Sequence, residues 1–162
     1  MATVTLRPSA DHTAQWVDST GGSHYTDVSD DSDDTSVIGA NNQIDLYHFS
    51  NSGISSGVIN SVTFYFRGAR TFSSTIQYLL YDVGGTYDSL TNTAIWNDVV
   101  GGKSTNTWTP AVSWTWAYVD AIRCGAKAIT ADNFFLYDVW VVVDYTPQGG
   151  LTPQGGLFTF HG

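Results

Sequence analysis

Residues Phe134 to Tyr145 read FFLYDVWVVVDY, and the reading of this stretch decides the fold class. It alternates on Phe135, Tyr137, Val139, Val141 and Val143, the period of two that sends successive side chains to opposite faces of a strand. Its β-branched and aromatic residues suit a pleated, half-buried surface. A second long run, VINSVTFYFRGA from Val58 to Ala69, repeats the pattern: Val62, Phe64 and Phe66 point one way, Thr63, Tyr65 and Arg67 the other. Shorter β-type runs follow the same logic at Val4 to Arg7, Gln15 to Val17, Ile44 to Phe49, Ile76 to Val83, Ile95 to Val100 and Thr105 to Thr109. Ser, Gly, Asn and Asp clusters break them, with Gly84-Gly85 and Gly101-Gly102 as turn signals. One helical turn fits Trp116 to Cys124. Many short strands at roughly ten-residue spacing predict an all-β fold, an antiparallel β-sandwich that is jelly-roll-like, over residues 1–145.

Composition points the same way. All fifteen acids are Asp, and Lys occurs only at Lys103 and Lys127. Glu and Lys favour helix surfaces, so their scarcity suits strands and turns. At 162 residues the chain is long enough to bury a substantial core. A net charge of −9 argues against nucleic acid and against anionic membrane surfaces as partners, because phosphate contacts need Lys and Arg. The lone Cys124 has no disulfide partner within the chain and, beside Ile122 and Ala126, reads as a buried, inert thiol. The opening Met1-Ala2-Thr3-Val4-Thr5-Leu6 reads as a strand rather than a signal peptide, so synthesis in a cytoplasm is expected.

After the last strand comes TPQGGLTPQGGLFTFHG, Thr146 to Gly162, a hexapeptide written twice and then an apolar tip. Pro and Gly at this density exclude a helix and a central strand. Burial of Leu151, Leu157, Phe158 and Phe160 does not by itself offset the ordering of so long a backbone. An arm that docks by side chains and by backbone pairing on a neighbouring subunit answers that problem, and Pro147 and Pro153 lower its ordering cost. A tail folded back on its own domain is the plainer alternative.

The chain shows few chemical motifs. The loop from Asp27 to Thr35 crowds five carboxylates, and Asp31, Asp33 and the Thr35 carbonyl form the candidate calcium set; a solvated acidic loop is the alternative. His12, His24, His48 and His161 have no metal-ligand spacing. Gly53-Ile54-Ser55-Ser56-Gly57 misplaces its serine for a nucleophile elbow. The chain is therefore expected to be no enzyme and to need no cofactor, calcium apart. Trp96, Trp108 and Trp114 are candidates for stacking on a glycan, although Trp114 and Trp116 lead into Val119 as a core-covering segment would.

Two blocks carry a family resemblance. Trp114-Thr115-Trp116-Ala117-Tyr118-Val119-Asp120-Ala121-Ile122-Arg123-Cys124-Gly125, and then Val139 to Thr146, resemble a W-T-W-x-x-V-D-A … V-D-Y-T pattern of β-sandwich surface-structural proteins from phages and environmental microbes. The opening Thr3 to Ser19 and the acidic Asp30 to Thr35 loop are similar to theirs; the repeated tail is not. The resemblance implies a virion structural protein, a capsid decoration or cement protein or a fibre. Its implied place is the virion surface, and its partners are further copies of itself, the major capsid protein or another virion protein. A carbohydrate-binding module for host or surface glycans, and a subunit of an extracellular filament, are the alternatives.

Overall fold

The computed structural model describes residues 1–30, 32, 34–40, 42–70, 75–81, 87–88, 93–95, 102–107, 113–129 and 134–148. In chain order the elements are β1 (Ala2–Leu6), β2 (Pro8–Ala14), β3 (Val17–Asp18), α1 (His24–Asp27), β4 (Val37–Gly39), β5 (Ile44–Phe49), β6 (Val58–Arg70) and β7 (Thr75–Tyr81). There follow β8 (Tyr87–Asp88), β9 (Thr93–Ile95), β10 (Gly102–Thr107), α2 (Trp116–Asp120), β11 (Arg123–Ala128) and β12 (Phe134–Thr146). The chain is an all-β sandwich of two antiparallel sheets. Sheet A runs β10-β6-β12-β4-β3, with β1 beside β4 on the same edge of β12. Sheet B runs β2-β5-β11-β7-β8, with β9 also on β7.

The two runs that stand out in the sequence lie side by side at the centre of sheet A, β6 against β12 along their whole length. Alternation on β6 is as expected: Val62, Phe64 and Phe66 are buried in the core, and Thr63, Tyr65 and Arg67 are half-exposed. On β12 the expected parity fails at one point. Phe134 and Leu136, not Phe135 and Tyr137, join Val139, Val141 and Val143 in the core. The ladder with β6 shifts register between Leu136 and Asp138, so Tyr137 is an inserted residue and the strand changes face there. A period-two count across a bulge assigns every side chain before it to the wrong face.

From sheet B come Tyr47, Phe49, Ile76, Leu80, Cys124 and Ala126, which meet these rows in one core. Cys124 is buried as expected, and burial pushes its thiol well above the ordinary range. The helical turn is shorter than the sequence suggests: α2 stops at Asp120, and Arg123 onward is a central strand of sheet B. Thr115 caps α2 with its hydroxyl accepting from Tyr118 N–H, and Trp116 and Val119 face the core. The strand expected at Gln15 to Val17 reduces to β3. In its place β2, a polar run opening on Pro8, adds an edge to sheet B, where proline's missing N–H costs no ladder bond. Residues 82–83, 96–100 and 108–109 of the expected strands lie outside the described residues, as does the tail beyond Gln148.

Candidate functional site

Arg7 sits at the corner where the chain leaves sheet A for sheet B. Leu6 pairs with Val141, Pro8 pairs with Phe49, and the Arg7 carbonyl accepts from Ser50 N–H at 2.9 Å. β1 sends Val4 and Leu6 inward, so Arg7 continues the outward row of Thr3 and Thr5. Its guanidinium lies 2.5 Å from the Asp138 carboxylate and 5.3 Å from the centre of the Trp140 ring. Tyr65, from β6 on the other side of β12, stacks on Trp140 with the rings 4.9 Å apart and 4° from parallel. A ladder therefore crosses the outward face of sheet A: Tyr65, Trp140, Arg7 and Asp138. Arg67 is the register partner of Asp138, and Lys103 the register partner of Arg67.

Asp138 is fully buried although it belongs to the outward row. A carboxylate removed from water needs charge or donors, and Arg7, itself a third exposed, reaches over to supply both. Asp138 takes its outward direction from the unbroken alternation with Val139, Val141 and Val143. Stacking and the cation over the indole hold the same side chains in one geometry. The result is an aromatic and charged face on a strongly acidic protein. Trp140 is approached by Tyr65 and Arg7 from the strands flanking it, so its ring serves as the middle of a stack rather than as an open platform.

The second feature is the end of β12, where the segment expected to act as an arm begins. Tyr145 and Thr146 pair with Ile59 and Val58, Asn60 donates to the Thr146 hydroxyl at 3.2 Å, and Tyr145 packs edge-on to Trp116. Trp116 in turn donates its indole N–H to the Gly57 carbonyl at 3.2 Å. Gly57 has φ +115°, and a Cβ there would meet the Thr146 carbonyl at 2.8 Å, so only glycine lets this loop close over the strand end. Pro147 and Gln148 then emerge exposed. The end of β12 is thus held by β6, by Trp116 and by the loop at Gly57.

The predicted site residues are distributed unevenly. Trp114 is half-buried, packed on the core rim and edge-on to Tyr118 at 5.0 Å. Trp96 and Trp108, the arm residues Leu151, Leu157, Phe158 and Phe160, and the calcium candidates Asp31 and Asp33 lie outside the described residues. The Thr35 hydroxyl lies 2.8 Å from the Asp30 carboxylate and 3.2 Å from the Asp27 carbonyl. Asp27, counted with the acidic loop, turns inward instead, where the Ser19 N–H and the Thr20 hydroxyl donate to its carboxylate. Among the described residues no three His, Cys or Asp side chains gather where they could hold a metal ion.

Sequence reasoning misses two polar centres, because their members are distant along the chain. Asp45, fully buried, accepts from the N–H groups of Gln15 and Trp16 at 2.8 and 3.0 Å. Its other oxygen lies 2.6 Å from His24 Nδ1 and accepts from Tyr47 OH at 2.9 Å. Burial raises the Asp45 carboxyl above its usual range despite these donors, and it lifts the Tyr47 phenol as well. This hub ties the turn after β2 and the helix α1 to the core. The other centre joins His12, His48 and Arg123 on the outward face of sheet B. Comparison of the chain with protein-family models, with curated proteins and with solved structures found no match.

Proposed function

We propose that this chain is a non-enzymatic structural protein of a virion, a capsid decoration or cement protein or a fibre subunit that assembles through its C-terminal arm. The observation that carries the proposal is the pairing order. From β4 onward the strands pair as a rolled-up hairpin: β4 with β12, β5 with β11, β6 with β10, β7 with β8. With β9 as an extra strand on β7, that order supports reading the sandwich as an eight-stranded jelly roll, an architecture of viral capsid and lectin domains. Fold analogy alone does not assign a function. The fixed arm root adds a local reason, since a docking arm acts best from a rigid base that does not dissipate its binding energy in motion of the anchor. The resemblance of Trp114 to Gly125 and of Val139 to Thr146 to phage surface proteins agrees with it.

The mechanism is cementing: the sandwich presents a rigid surface, while the arm engages an adjacent subunit through its apolar tip. Light scattering after size exclusion, on the full chain and on a chain ending at Gln148, tests it. The truncated chain keeps the pairing of Thr146 with Val58 and should keep the melting temperature, but lose the oligomer or the capsid binding. Equal assembly by both chains overturns the proposal.

A further inference from the structure

His12, His48 and Arg123 stand together on the outward face of sheet B, where nothing in the assembly reading requires them. Arg123 is the register partner of His48, and the irregular pairing of β2 with β5 around Asp11 and Thr13 swings His12 onto its neighbours. The two imidazoles meet edge to face with centres 5.2 Å apart, and Arg123 Nη1 lies 3.1 Å from His12 Nε2. A guanidinium can only donate, so His12 Nε2 must be the acceptor. The proton of His12 therefore sits on Nδ1, 3.0 Å from the Thr13 hydroxyl. This arrangement exists only while His12 is neutral.

Protonation converts it. Once Nε2 carries a proton, two donors of like charge face each other at hydrogen-bond distance, and a charged His48 adds a third. Among the described residues, the other charged and titratable groups of the surrounding elements are committed or distant in register. Asp11 on β2 accepts from the N–H groups of His24 and Tyr25 on α1, and Asp45 on β5 holds His24 and Tyr47. Lys127 stands four residues along β11 and adds positive charge, and β7 places Tyr81 across from Arg123. An oxyanion set between Arg123 and the imidazolium accepts from both and removes the repulsion. We propose that His12, His48 and Arg123 form an oxyanion site that is closed at neutral pH and opens on protonation of the histidines. Burial and the Arg123 charge hold both histidines below their ordinary range, which sets the opening on the acid side of neutrality. The ligand class is a sulfate or carboxylate group.

Inorganic sulfate, which does not titrate in this range, is the probe, against chloride at matched ionic strength. Histidine proton resonances of the full chain are followed between about pH 8 and about pH 4.5. Sulfate should raise the midpoints of His12 and His48. By reciprocity it should bind at least about tenfold tighter at about pH 5 than at about pH 7.5. Arg123→Gln should abolish the sulfate effect, and His12→Gln should remove most of its pH dependence. Both changes lie on an outward face, and an otherwise unchanged spectrum certifies the fold. Equal shifts in sulfate and chloride overturn the proposal, as does sulfate binding that survives Arg123→Gln. Asp82, next after Tyr81 in sequence, gives a further control. A wild-type chain that shows no sulfate effect, with histidine midpoints that fall in Asp82→Asn, would place the counter-charge in the chain itself and overturn the proposal.

Discussion

Gly125→Ala should unfold this protein more readily than its chemistry suggests. Gly125 lies in β11, the strand between β5 and β7 at the centre of sheet B. A Cβ at this position would fall 1.9 Å from the Asp45 carbonyl oxygen, 2.8 Å from its carbon and 2.9 Å from Leu46 Cα. All three are backbone atoms of β5, so no side chain can rotate away. The strands must separate by more than an ångström locally, which weakens the β5–β11 ladder and drags on the buried Asp45 and its four donors. Overpacking costs about 1–3 kcal/mol, and each lost ladder bond adds about 1 kcal/mol, giving a total of about 3–5 kcal/mol. For a domain of this size that is a fall in Tm of about 6–20 °C. The sign itself is diagnostic, because a Gly→Ala change with room for the methyl stabilises by about 0.4–1 kcal/mol through the unfolded chain. Gly22→Ala is the matched control: its Cβ would meet only the Thr20 and Thr26 hydroxyls, at 3.4 and 3.8 Å. Scanning calorimetry of both variants decides. An unchanged or raised Tm for Gly125→Ala would refute the close approach of β5 and β11.

Arg7→Met should destabilise by about 2–3 kcal/mol in denaturant titration, since it strips a buried carboxylate of its cation while Arg67 remains opposite. Combining it with Asp138→Leu should recover most of the loss; no recovery would mean that Arg7 acts through Trp140 alone. Stability should fall as pH drops from about 6.5 through the lowered midpoints of His12 and His48, because the unfolded chain takes up those protons first. His48→Gln should flatten that part of the curve. Asp45 acts with the opposite sign: its folded carboxyl is raised, so the penalty of burying its charge is relieved as pH falls through the folded midpoint. In urea titrations of wild type and Asp45→Asn, the difference in stability should therefore depend on pH in the acid range; a constant difference would count against a raised carboxyl. Cys124 should resist thiol reagents until the fold opens, and rapid labelling of the native protein would contradict its burial.

What the sequence determines by itself is the fold class and the centre of one sheet. Alternation on Val62, Phe64 and Phe66 and the valines of β12 require two strands with one buried face, and the absence of Glu leaves little for a helical surface. Cys124 and Val119 are equally legible, as small apolar groups inside apolar runs. Only the tertiary structure decides the rest. The bulge at Tyr137 reverses the parity of Phe134 to Leu136, and a period-two count cannot see an inserted residue. The meeting of Asp138 with Arg7, 131 positions away in sequence, comes from the pairing of β1 with β12. β2 escapes notice because an edge strand needs few apolar residues, and β11 because RCGAKA packs through small side chains and a glycine. His12, His48 and Arg123 have no motif spacing, since sheet register brings them together across β2, β5 and β11. Local pattern fixes which residues seek burial; which strands pair, and hence which charges meet, is decided by the closing of the sandwich.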